Sequence, residues 1–347
     1  MNVGQRSAAP PPPQVSAEQI AEAVRRLRAG AVVAFPTETV YGLGADAESD
    51  AGVAAIYRIK RRPSGHPLIV HVPDRACAEF WAEIGPRAAA LIEAFWPGPL
   101  TLVLTRRAGV ASLACGKEST VGLRCPSHPV ARRLLAAFVA AGGHGIAAPS
   151  ANLFGRVSPT SVEHVFDDLG AETPLVLEGG DSEHGVESTI VDLSRGFPAM
   201  LRPGSISAAQ IEAVLQEPLE APGAAAPRVA GALAAHYATA TALELVAPHF
   251  LAERLAQCLQ RGERIAVWSR MDPGAGAAVL WEPAPAEPVA YARRLYATLR
   301  RLDGQALARI LVEEPPAEAQ WAAVRDRLGR AQAGAGTHLS RAGSAGT

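Results

Sequence analysis

Basic residues are concentrated in one short segment that could bind an anion. Residues 60–67 (KRRPSGHP) place three consecutive cations between the end of a predicted helix and a proline. Because residues of a loop are not spread around a helix axis, at least two of these cations can face one anion, and arginine can hold phosphate through two parallel hydrogen bonds. The segment therefore predicts phosphate binding. The alternative is that the cations only stabilise the negative end of a helix dipole.

Hydroxyl and amide side chains follow several predicted strands, at the positions where open sheets bind their ligands. Two segments are near repeats, residues 118–121 (ESTV) and 187–190 (ESTI), and their hydroxyls are expected to line the same sheet edge. The other polar positions are residues 36–39 (PTET), Arg124, residues 148–152 (APSAN), residues 157–160 (VSPT) and residues 201–204 (LRPG). Residues 36–39 alone also fit a turn or a helix cap, and residues 148–152 and 157–160 also fit turns.

Cations and hydroxyls without an obvious covalent nucleophile or acid–base pair favour a site that positions two substrates and stabilises charge on phosphates. Motifs of other enzyme classes are incomplete. Residues 42–47 (GLGADA) lie too far from the preceding strand for a dinucleotide site, and no acidic residue follows at the ribose-binding distance. Residues 116–118 (GKE) lack the hydroxyl of a P-loop. The residues themselves therefore indicate a nucleotide-using ligase or transferase.

Interleaved helical and strand patterns must position these residues. A capping box at Ser16 and Gln19 begins the first helix, which precedes a strand over 31–35. The patterns predict further strands over 68–72, 100–105, 145–148, 175–177 and 189–193, and helices over 50–60, 87–95, 129–141, 161–169 and 207–216. This mixture predicts an α/β catalytic domain over residues 16–216, preceded by a disordered lead-in over 1–15.

The composition changes after residue 216. Residues 217–228 (EPLEAPGAAAPR) are rich in proline and alanine, so an interdomain linker is predicted over 217–240. Strand patterns over 243–246, 265–268, 278–281 and 310–312 alternate with helical ones over 248–260, 288–302 and 320–330. They predict a small Rossmann-like open parallel sheet in a C-terminal domain over 241–330. A disordered tail, rich in glycine, alanine and serine, is predicted over 331–347.

Charge and composition narrow the functional classes. The 347 residues carry 33 Lys and Arg against 34 Asp and Glu, a formal net charge of -1, so no bulk attraction to nucleic acid or to an anionic membrane is expected. The apolar runs are too short for a membrane span and the N-terminal residues lack the apolar core of a signal peptide, which favours a soluble cytoplasmic protein. The four cysteines form no C-x-x-C pair, so reduced thiols are expected.

The order of the motifs resembles the YrdC family. The motifs are residues 35–43 (FPTETVYGL), the Lys60-x-Arg62 pair, residues 119–121 with Arg124, the Ser150-x-Asn152 pair and residues 201–204 (LRPG). The match runs from about residue 16 to residue 207, and the linker and C-terminal domain resemble those of the long, two-domain threonylcarbamoyl-AMP synthases of this family. The resemblance implies a YrdC-like twisted mixed sheet with a concave basic site, joined to the small open sheet.

The resemblance also implies a reaction. L-Threonine, bicarbonate or CO2, and ATP would give L-threonylcarbamoyladenylate and pyrophosphate, with Mg2+ carried on the phosphates of ATP and no metal ligands from the protein. The amine of threonine would take up CO2 as a carbamate, whose oxygen attacks the α-phosphate, so no protein nucleophile is required. The product would serve threonylcarbamoyladenosine formation at position 37 of tRNA by a separate transferase, and direct tRNA binding is left open.

Site residues follow from the same resemblance. Lys60 and Arg62 would be catalytic. Threonine would be bound by Thr39, His71, Arg124, Ala148 and Ser188, with Arg124 on its carboxylate. ATP would be surrounded by Lys60, Arg62, His66, Thr120, Ser150, Asn152, Ser158, Arg202 and Tyr237. His66 replaces an asparagine that is common in the family, and if it contacts phosphate, ATP binding is expected to weaken as the imidazole loses its proton near neutral pH.

The linker departs from the family pattern, and two other functions remain open. Residues 236–239 (HYAT) end in threonine where the family usually has proline, and the usual basic residue before them is replaced by Leu233 or a neighbour. An RNA-binding module on the concave basic face is one alternative, although the net charge is near zero and no RNP-type aromatic motif is present. A step like that of hydrogenase maturation factors is the other, but this chain lacks their length and cysteines.

Overall fold

Two β-sheets organise the chain, one on each side of the predicted linker. The computed structural model describes residues 15–110, 113–116, 118–274 and 279–336. The strands of the first sheet are β1 Val33–Phe35, β2 Gly42–Asp46, β3 Ile69–His71, β4 Leu100–Thr105, β5 Thr120–Arg124, β6 Ile146–Ala147, β7 Leu175–Val176, β8 Thr189–Asp192 and β9 Ala199–Arg202. Those of the second are β10 Ala242–Val246, β11 Ile265–Ser269, β12 Val279–Pro283 and β13 Arg309–Glu313.

Helices accompany both sheets. The first domain contains α1 Ala17–Arg28, α2 Asp50–Lys60, α3 Arg75–Trp81, α4 Pro86–Phe95, α5 Pro129–Ala140, α6 Val162–Leu169 and α7 Ala208–Leu215. The second contains α8 Leu251–Gln260, α9 Pro288–Asp303 and α10 Ala322–Gly334. Short 3₁₀ helices cover Gly170–Glu172, Pro248–Phe250 and Ala319–Trp321. Within the described ranges, no helix is both long and apolar enough to cross a membrane.

The two sheets differ in strand direction. The first has the order β7-β1-β2-β6-β3-β5-β4-β8-β9 and mixes parallel with antiparallel pairs. The second has the order β10-β13-β11-β12, and all its pairs are parallel. The predicted fold class, a mixed α/β sheet joined to a small open parallel sheet, is therefore confirmed.

The register of β4 with its two neighbours decides which polar residues meet. Arg124 at the end of β5 lies opposite Thr101, whereas Thr120 at the start of β5 lies opposite Thr105. On the other side of β4, Leu100 lies opposite Thr189 at the start of β8. Because β5 and β8 run in opposite directions, the expectation that segments 118–121 and 187–190 line one sheet edge is wrong. The hydroxyl segment before β8 instead lies at the same end of β4 as Arg124.

The end of α2 sorts the three consecutive cations. Ser49 caps the helix by accepting a hydrogen bond from the backbone of Gly52, and Arg61 ends it in the left-handed conformation, with φ of 51°. This turn leaves Arg61 exposed and buries both Lys60 and Arg62. Local backbone geometry therefore decides which cations can reach the interior.

Helix α3 and strand β2 of the first domain do not follow from the sequence patterns. Strand β2 (GLGAD) contains two glycines and no β-branched or aromatic residue, yet it is buried along its whole length between β1 and β6. A Cβ on Gly44 would lie 2.7 Å from side-chain atoms of both Phe35 and Ile146, so close packing explains a glycine in a central strand.

Both predicted terminal segments differ from the structure where it describes them. Val15 is buried, and its carbonyl accepts a hydrogen bond from Arg133 at 2.7 Å. Helix α10 continues to Gly334, so the predicted tail does not begin at residue 331. The remainder of both predicted segments, residues 1–14 and 337–347, lies outside the described residues.

The two domains share part of one hydrophobic core. The core under α9 and α10 also contains Val40, Val157, Val186 and Tyr237, which belong to the first domain and the linker. Gly185 approaches α9 closely: its φ is +70°, and a Cβ there would lie 2.5 Å from the carbonyl oxygen of Ala292. The C-terminal domain is thus packed directly against the polar segments of the first domain.

Candidate active site

A cleft lies between the first sheet and the linker. Strands β3 and β5 supply its floor, and the linker supplies four of its residues. The lining residues are Thr37, Val40, Gly42, Arg62, Ile69, His71, Arg124, Ala148, Pro149, Ser150, Glu187, Arg202, Ala230, Gly231, His236 and Tyr237. A smaller groove continues along the sheet under residues 228–230 and reaches Thr120.

One corner of the cleft holds a buried arginine with unused hydrogen-bonding capacity. Arg124 lies opposite His71 in the parallel pair β3 and β5. Its Nη2 is 2.8 Å from Oε1 of Glu38, and both side chains are at least 95% buried. Burial would raise the pKa of Glu38, but the Arg124 guanidinium outweighs it and the pKa lies below its ordinary value. Among the described residues, Nε of Arg124 has no hydrogen-bond partner, so it can bind an anion.

His71 offers a neutral polar group beside this arginine. Burial and the neighbouring Arg124 lower the pKa of His71 to about 3. The imidazole is therefore uncharged near neutral pH, and its Nδ1 has no hydrogen-bond partner in the described part of the chain. Its ring meets that of Phe35 edge-on, with 6.2 Å between the centroids. A neutral imidazole next to a guanidinium suits a polar substrate that carries one carboxylate.

A hydroxyl pair joins this corner to Arg202. Thr101 Oγ1 and Ser188 Oγ are 2.7 Å apart. Arg202 donates through Nε and Nη2 to the carbonyl of Ser188, at 3.1 and 2.9 Å, and through Nη1 to the carbonyl of Ala230 at 2.9 Å. Arg202 therefore connects the segment before β8 to the linker.

Arg62 is the member of the basic segment that lines the cleft. Burial lowers the pKa of Arg62 to about 10, so the guanidinium remains charged at neutral pH. Its carbon lies 5.5 Å from the ring centroid of Phe154, and Nη2 donates to the carbonyl of Pro67 at 3.1 Å. In the described part of the chain its Nε is unpartnered. The cleft thus has a second cationic position for an anion.

Lys60 does not line the cleft, but it supports a loop that does. Its Nζ donates to the carbonyls of Ser150 and Asn152, at 2.6 and 2.5 Å. Burial and the neighbouring Arg62 hold the pKa of Lys60 well below its usual range. Of the three consecutive cations, Arg62 lines the cleft, Lys60 binds backbone carbonyls beside it and Arg61 is exposed.

The linker covers the cleft despite its departures from the family pattern. Ala230, Gly231, His236 and Tyr237 all line the cavity. Gly231 has φ of +76°, and a Cβ there would lie 2.5 Å from Oη of Tyr237 and 3.0 Å from Nη1 of Arg202. Burial lowers the pKa of His236 to about 3, so its ring is neutral. Glycine is the residue that allows the linker to approach so closely here.

The remaining predicted site residues lie around the cleft rather than in it. Thr39 is behind Thr37, with 2.9 Å between their hydroxyl oxygens, and Ser158 donates to Glu187 at 2.6 Å. Asn152 donates to the carbonyls of Leu153 and Arg156. Of the predicted residues, those that line the cleft are Arg62, His71, Arg124, Ala148, Ser150, Arg202 and Tyr237, and those that border it are Lys60, Thr39, His66, Thr120, Asn152, Ser158 and Ser188.

The ring of His66 lies 5.6 Å from that of Phe154, the residue that also contacts Arg62. Burial, followed by Arg62 and Arg228, lowers the pKa of His66. The imidazole therefore loses its proton at a lower pH than an ordinary histidine, whose pKa is near 6.5. The expected pH dependence of ATP binding moves in the acidic direction accordingly.

Three polar lining residues were not predicted as site residues: Thr37, Glu187 and His236. The first two lie in polar segments that the sequence did single out, and the third precedes Tyr237.

Burial raises the pKa of Cys77, Cys115 and Cys125 to about 11, so these thiols are protonated at neutral pH. Within the described residues, no group of three or more His, Cys, Asp or Glu could hold a metal ion. The arrangement can position anionic and polar substrates and stabilise their charge.

Two family profiles match the chain. The Sua5/YciO/YrdC profile, described as "Telomere recombination", matches residues 25–204, and the profile described as "Threonylcarbamoyl-AMP synthase, C-terminal domain" matches residues 206–333. Together they cover both sheets and the linker.

Individual proteins agree with these profiles. The threonylcarbamoyl-AMP synthase of Bacillus subtilis (strain 168) is 46% identical over 200 residues, which are 57% of this chain and 56% of that protein. The protein of the same name from Pyrococcus abyssi (strain GE5 / Orsay) is 43% identical over 192 residues, 55% of each chain. The chain thus spans about half the length of the curated relatives it matches. The crystal structure of P. abyssi Sua5 complexed with L-threonine superposes with a TM-score of 0.83 and 34% identity, covering 91% of this chain and 94% of that one.

Proposed function

Because the chain belongs to the Sua5/YciO/YrdC family, in its two-domain Sua5 form, we propose that it is a threonylcarbamoyl-AMP synthase. It condenses L-threonine, bicarbonate or CO2, and ATP to L-threonylcarbamoyladenylate and pyrophosphate. The threonine amine adds to CO2 and loses a proton, which gives a carbamate. A carbamate oxygen then bonds to the α-phosphorus of ATP, and the bond from that phosphorus to the β-phosphate oxygen breaks, so pyrophosphate leaves.

The observation that carries this proposal is the corner formed by Arg124, His71 and the Thr101–Ser188 hydroxyl pair. The buried guanidinium keeps Nε free of partners among the described residues, and a neutral imidazole lies beside it. This set suits the carboxylate, hydroxyl and amine of threonine. The crystal structure of P. abyssi Sua5 complexed with L-threonine supports threonine as the substrate. Arg124 would hold the carboxylate through a charge-assisted hydrogen bond.

The other end of the cleft suits the phosphates of ATP. Arg62 and Arg202 supply positive charge, and Ser150 lies between a strand end and the Lys60-supported loop. Lys60 then acts as a positioning residue for residues 150–152, while Arg62 stabilises charge as it develops on the leaving pyrophosphate. Tyr237 closes this end from the linker side.

Magnesium and the later steps complete the proposal. Mg2+ binds readily through substrate phosphates and water, so it would enter with ATP and lower the charge on the phosphates. The product is an activated carbamoyl donor, which a separate tRNA transferase would use for threonylcarbamoyladenosine at position 37. We place the reaction in the cytoplasm, and cell fractionation with antibody detection tests that placement.

The test is pyrophosphate release by the purified full chain with MgATP, L-threonine and bicarbonate, leaving out one component at a time. We expect release at least tenfold above background only when all components are present. Arg62→Ala should lower it at least tenfold, because a hydrogen bond to a charged group contributes about 1.5–3 kcal/mol.

Arg61→Asn is the matched control, because this neighbouring arginine is exposed and asparagine tolerates its left-handed backbone. Its release should stay within twofold of the original chain. If pyrophosphate release does not depend on threonine and the protein still binds tRNA, the RNA-binding alternative would replace the synthase proposal.

A further inference from the structure

A buried carboxylate in the cleft wall receives donors from both domains. Glu187 lines the cleft, and Ser158 of the first domain donates to its Oε1 at 2.6 Å. From the C-terminal domain, Tyr296 Oη and Arg327 Nε both donate to its Oε2, at 2.8 and 2.9 Å. Arg327, Tyr296 and Ser158 are fully buried. The carboxylate is therefore held by groups that lie far from it in the sequence.

The same two C-terminal residues hold the linker tyrosine. The ring of Tyr237 stacks on that of Tyr296, with 5.5 Å between centroids and 27° between planes. The guanidinium carbon of Arg327 lies 5.5 Å from the Tyr237 centroid. A buried guanidinium over an aromatic face is attractive because the face carries negative charge density. Tyr237 is thus fixed by the C-terminal domain on one side, while it lines the cleft on the other.

These contacts reach the groups that would touch the substrates. Glu187 is bonded to Ser188, whose carbonyl accepts from Arg202 and whose hydroxyl meets Thr101. Arg300 of α9 donates to the carbonyl of Ser158 at 3.3 Å and pairs with Asp168 at 2.5 Å. The C-terminal domain therefore contacts both Glu187 itself and Ser158, the residue of the first domain that donates to it.

We propose that Arg327, together with Tyr296, is a positioning residue for the nucleotide end of the cleft, acting through Glu187 and Tyr237. The inference rests on the proposed function, since it assigns these residues to ATP binding. Removal of the guanidinium leaves Glu187 as a buried carboxylate with less compensation and frees one face of Tyr237. Both changes loosen the linker over the cleft, so ATP binds more weakly.

The first experiment is a double-mutant cycle on ATP binding. MgATP dissociation constants are measured by titration calorimetry for Glu187→Gln, Arg327→Met and the double variant. We expect Arg327→Met to raise the dissociation constant about tenfold. The dissociation constant of the double variant should be at least fivefold lower than the value obtained by multiplying the two single effects, because neutralising Glu187 removes the uncompensated charge. Multiplicative effects, or an unchanged dissociation constant in Arg327→Met, would overturn the proposal.

Arg325→Met is the matched control, since Arg325 is exposed on the same helix and donates to the carbonyl of Ala317. It should bind ATP within twofold of the original chain. Tyr296→Phe removes one hydroxyl without changing volume, and a threefold to tenfold weaker dissociation constant is expected. ATP binding as tight as that of the original chain in Tyr296→Phe would contradict the role of Tyr296.

Hydrogen exchange without ATP separates this inference from the proposed function. The amide of His236 donates to Arg330 and that of Ala238 donates to Gly155, so both report the position of the linker. In Arg327→Met their exchange should rise at least tenfold while amides of α1 keep their rates. Failure of threonine-dependent pyrophosphate release in the original chain would overturn the function alone. Unchanged exchange at both amides would overturn the positioning role alone.

Discussion

The two sheets each place an arginine at the carboxyl end of a strand, Arg124 on β5 and Arg270 after β11. Arg270 directs its backbone N, its Nε and its Nη2 at the carboxylate of Glu313 on the neighbouring strand β13. Arg124 is paired with Glu38, yet its Nε remains without a partner among the described residues.

This difference indicates that an arginine at a sheet edge can bind a ligand only where some of its donors remain without a partner. At the second sheet, Glu313 already accepts from the backbone N, Nε and Nη2 of Arg270. At the first sheet the cleft is also covered by a linker that the second domain holds in place. The second domain therefore contributes through helices α9 and α10, which contact Glu187 and Tyr237 in the cleft wall, and not through its own strand ends.

The strongest way to break this comparison is to remove the guanidinium of Arg124. We expect Arg124→Met to lower kcat/KM for threonine about 100-fold, because a buried charge-assisted hydrogen bond to the carboxylate is lost and hydrogen bonds to charged groups contribute about 1.5–3 kcal/mol. The measurement is pyrophosphate release at varied threonine with saturating MgATP.

Arg124→Lys supplies the second arm of this test. It keeps the charge opposite Glu38 but loses the planar donor geometry, so its kcat/KM should fall between the two. A folded Arg124→Met protein with kcat/KM within threefold of the original would show that the corner does not bind threonine.

Sequence patterns predicted the alternation of helices and strands because buried periodicity is a local property. They missed β2, since its burial depends on β1 and β6, which meet it only in the folded chain. They also missed the direction of β8 relative to β5. Strand direction follows from long-range connections, so the shared edge expected for segments 118–121 and 187–190 could not be checked from the residues alone.

The site divides in the same way. The motif order identified the segments that surround the cleft, including Arg62, Arg124 and Arg202. It could not tell that Lys60 donates to backbone carbonyls of the 150–152 loop while Arg62 lines the cleft. Nor could it connect Glu187 with Arg327, because that ion pair joins residues 140 positions apart and depends on how the domains pack.

Acid sensitivity sharpens the comparison, because the cleft of the first domain buries a neutral histidine. His71 faces Arg124 and Glu38, and burial followed by Arg124 lowers its pKa to about 3. Between about 6.5 and 3 the unfolded chain binds a proton that the folded chain refuses, so stability is lost as pH falls through this window. From pH 7 to pH 5 this one group should cost about 2 kcal/mol in the free energy of unfolding.

Urea unfolding at both pH values checks this result. In His71→Gln the loss between pH 7 and pH 5 should be smaller than in the original chain by that amount, because glutamine does not titrate. An equal loss in both proteins would mean that the buried imidazole accepts a proton in the folded state.

The smallest effect is expected at the second sheet, where Arg270→Met should leave pyrophosphate release within twofold of the original chain. Arg270 does not line the cleft, and its Glu313 partner keeps the backbone N–H of the substituted residue, 2.8 Å away. Because the arginine side chain is 38% exposed, its loss should lower the free energy of unfolding by only about 1 kcal/mol. Release more than tenfold lower, in a protein that unfolds at nearly the original urea concentration, would mean that the edge of the second sheet takes part in the reaction. The Arg270–Glu313 ion pair would then have to open to bind a ligand. Free donors would no longer explain why the two arginines differ.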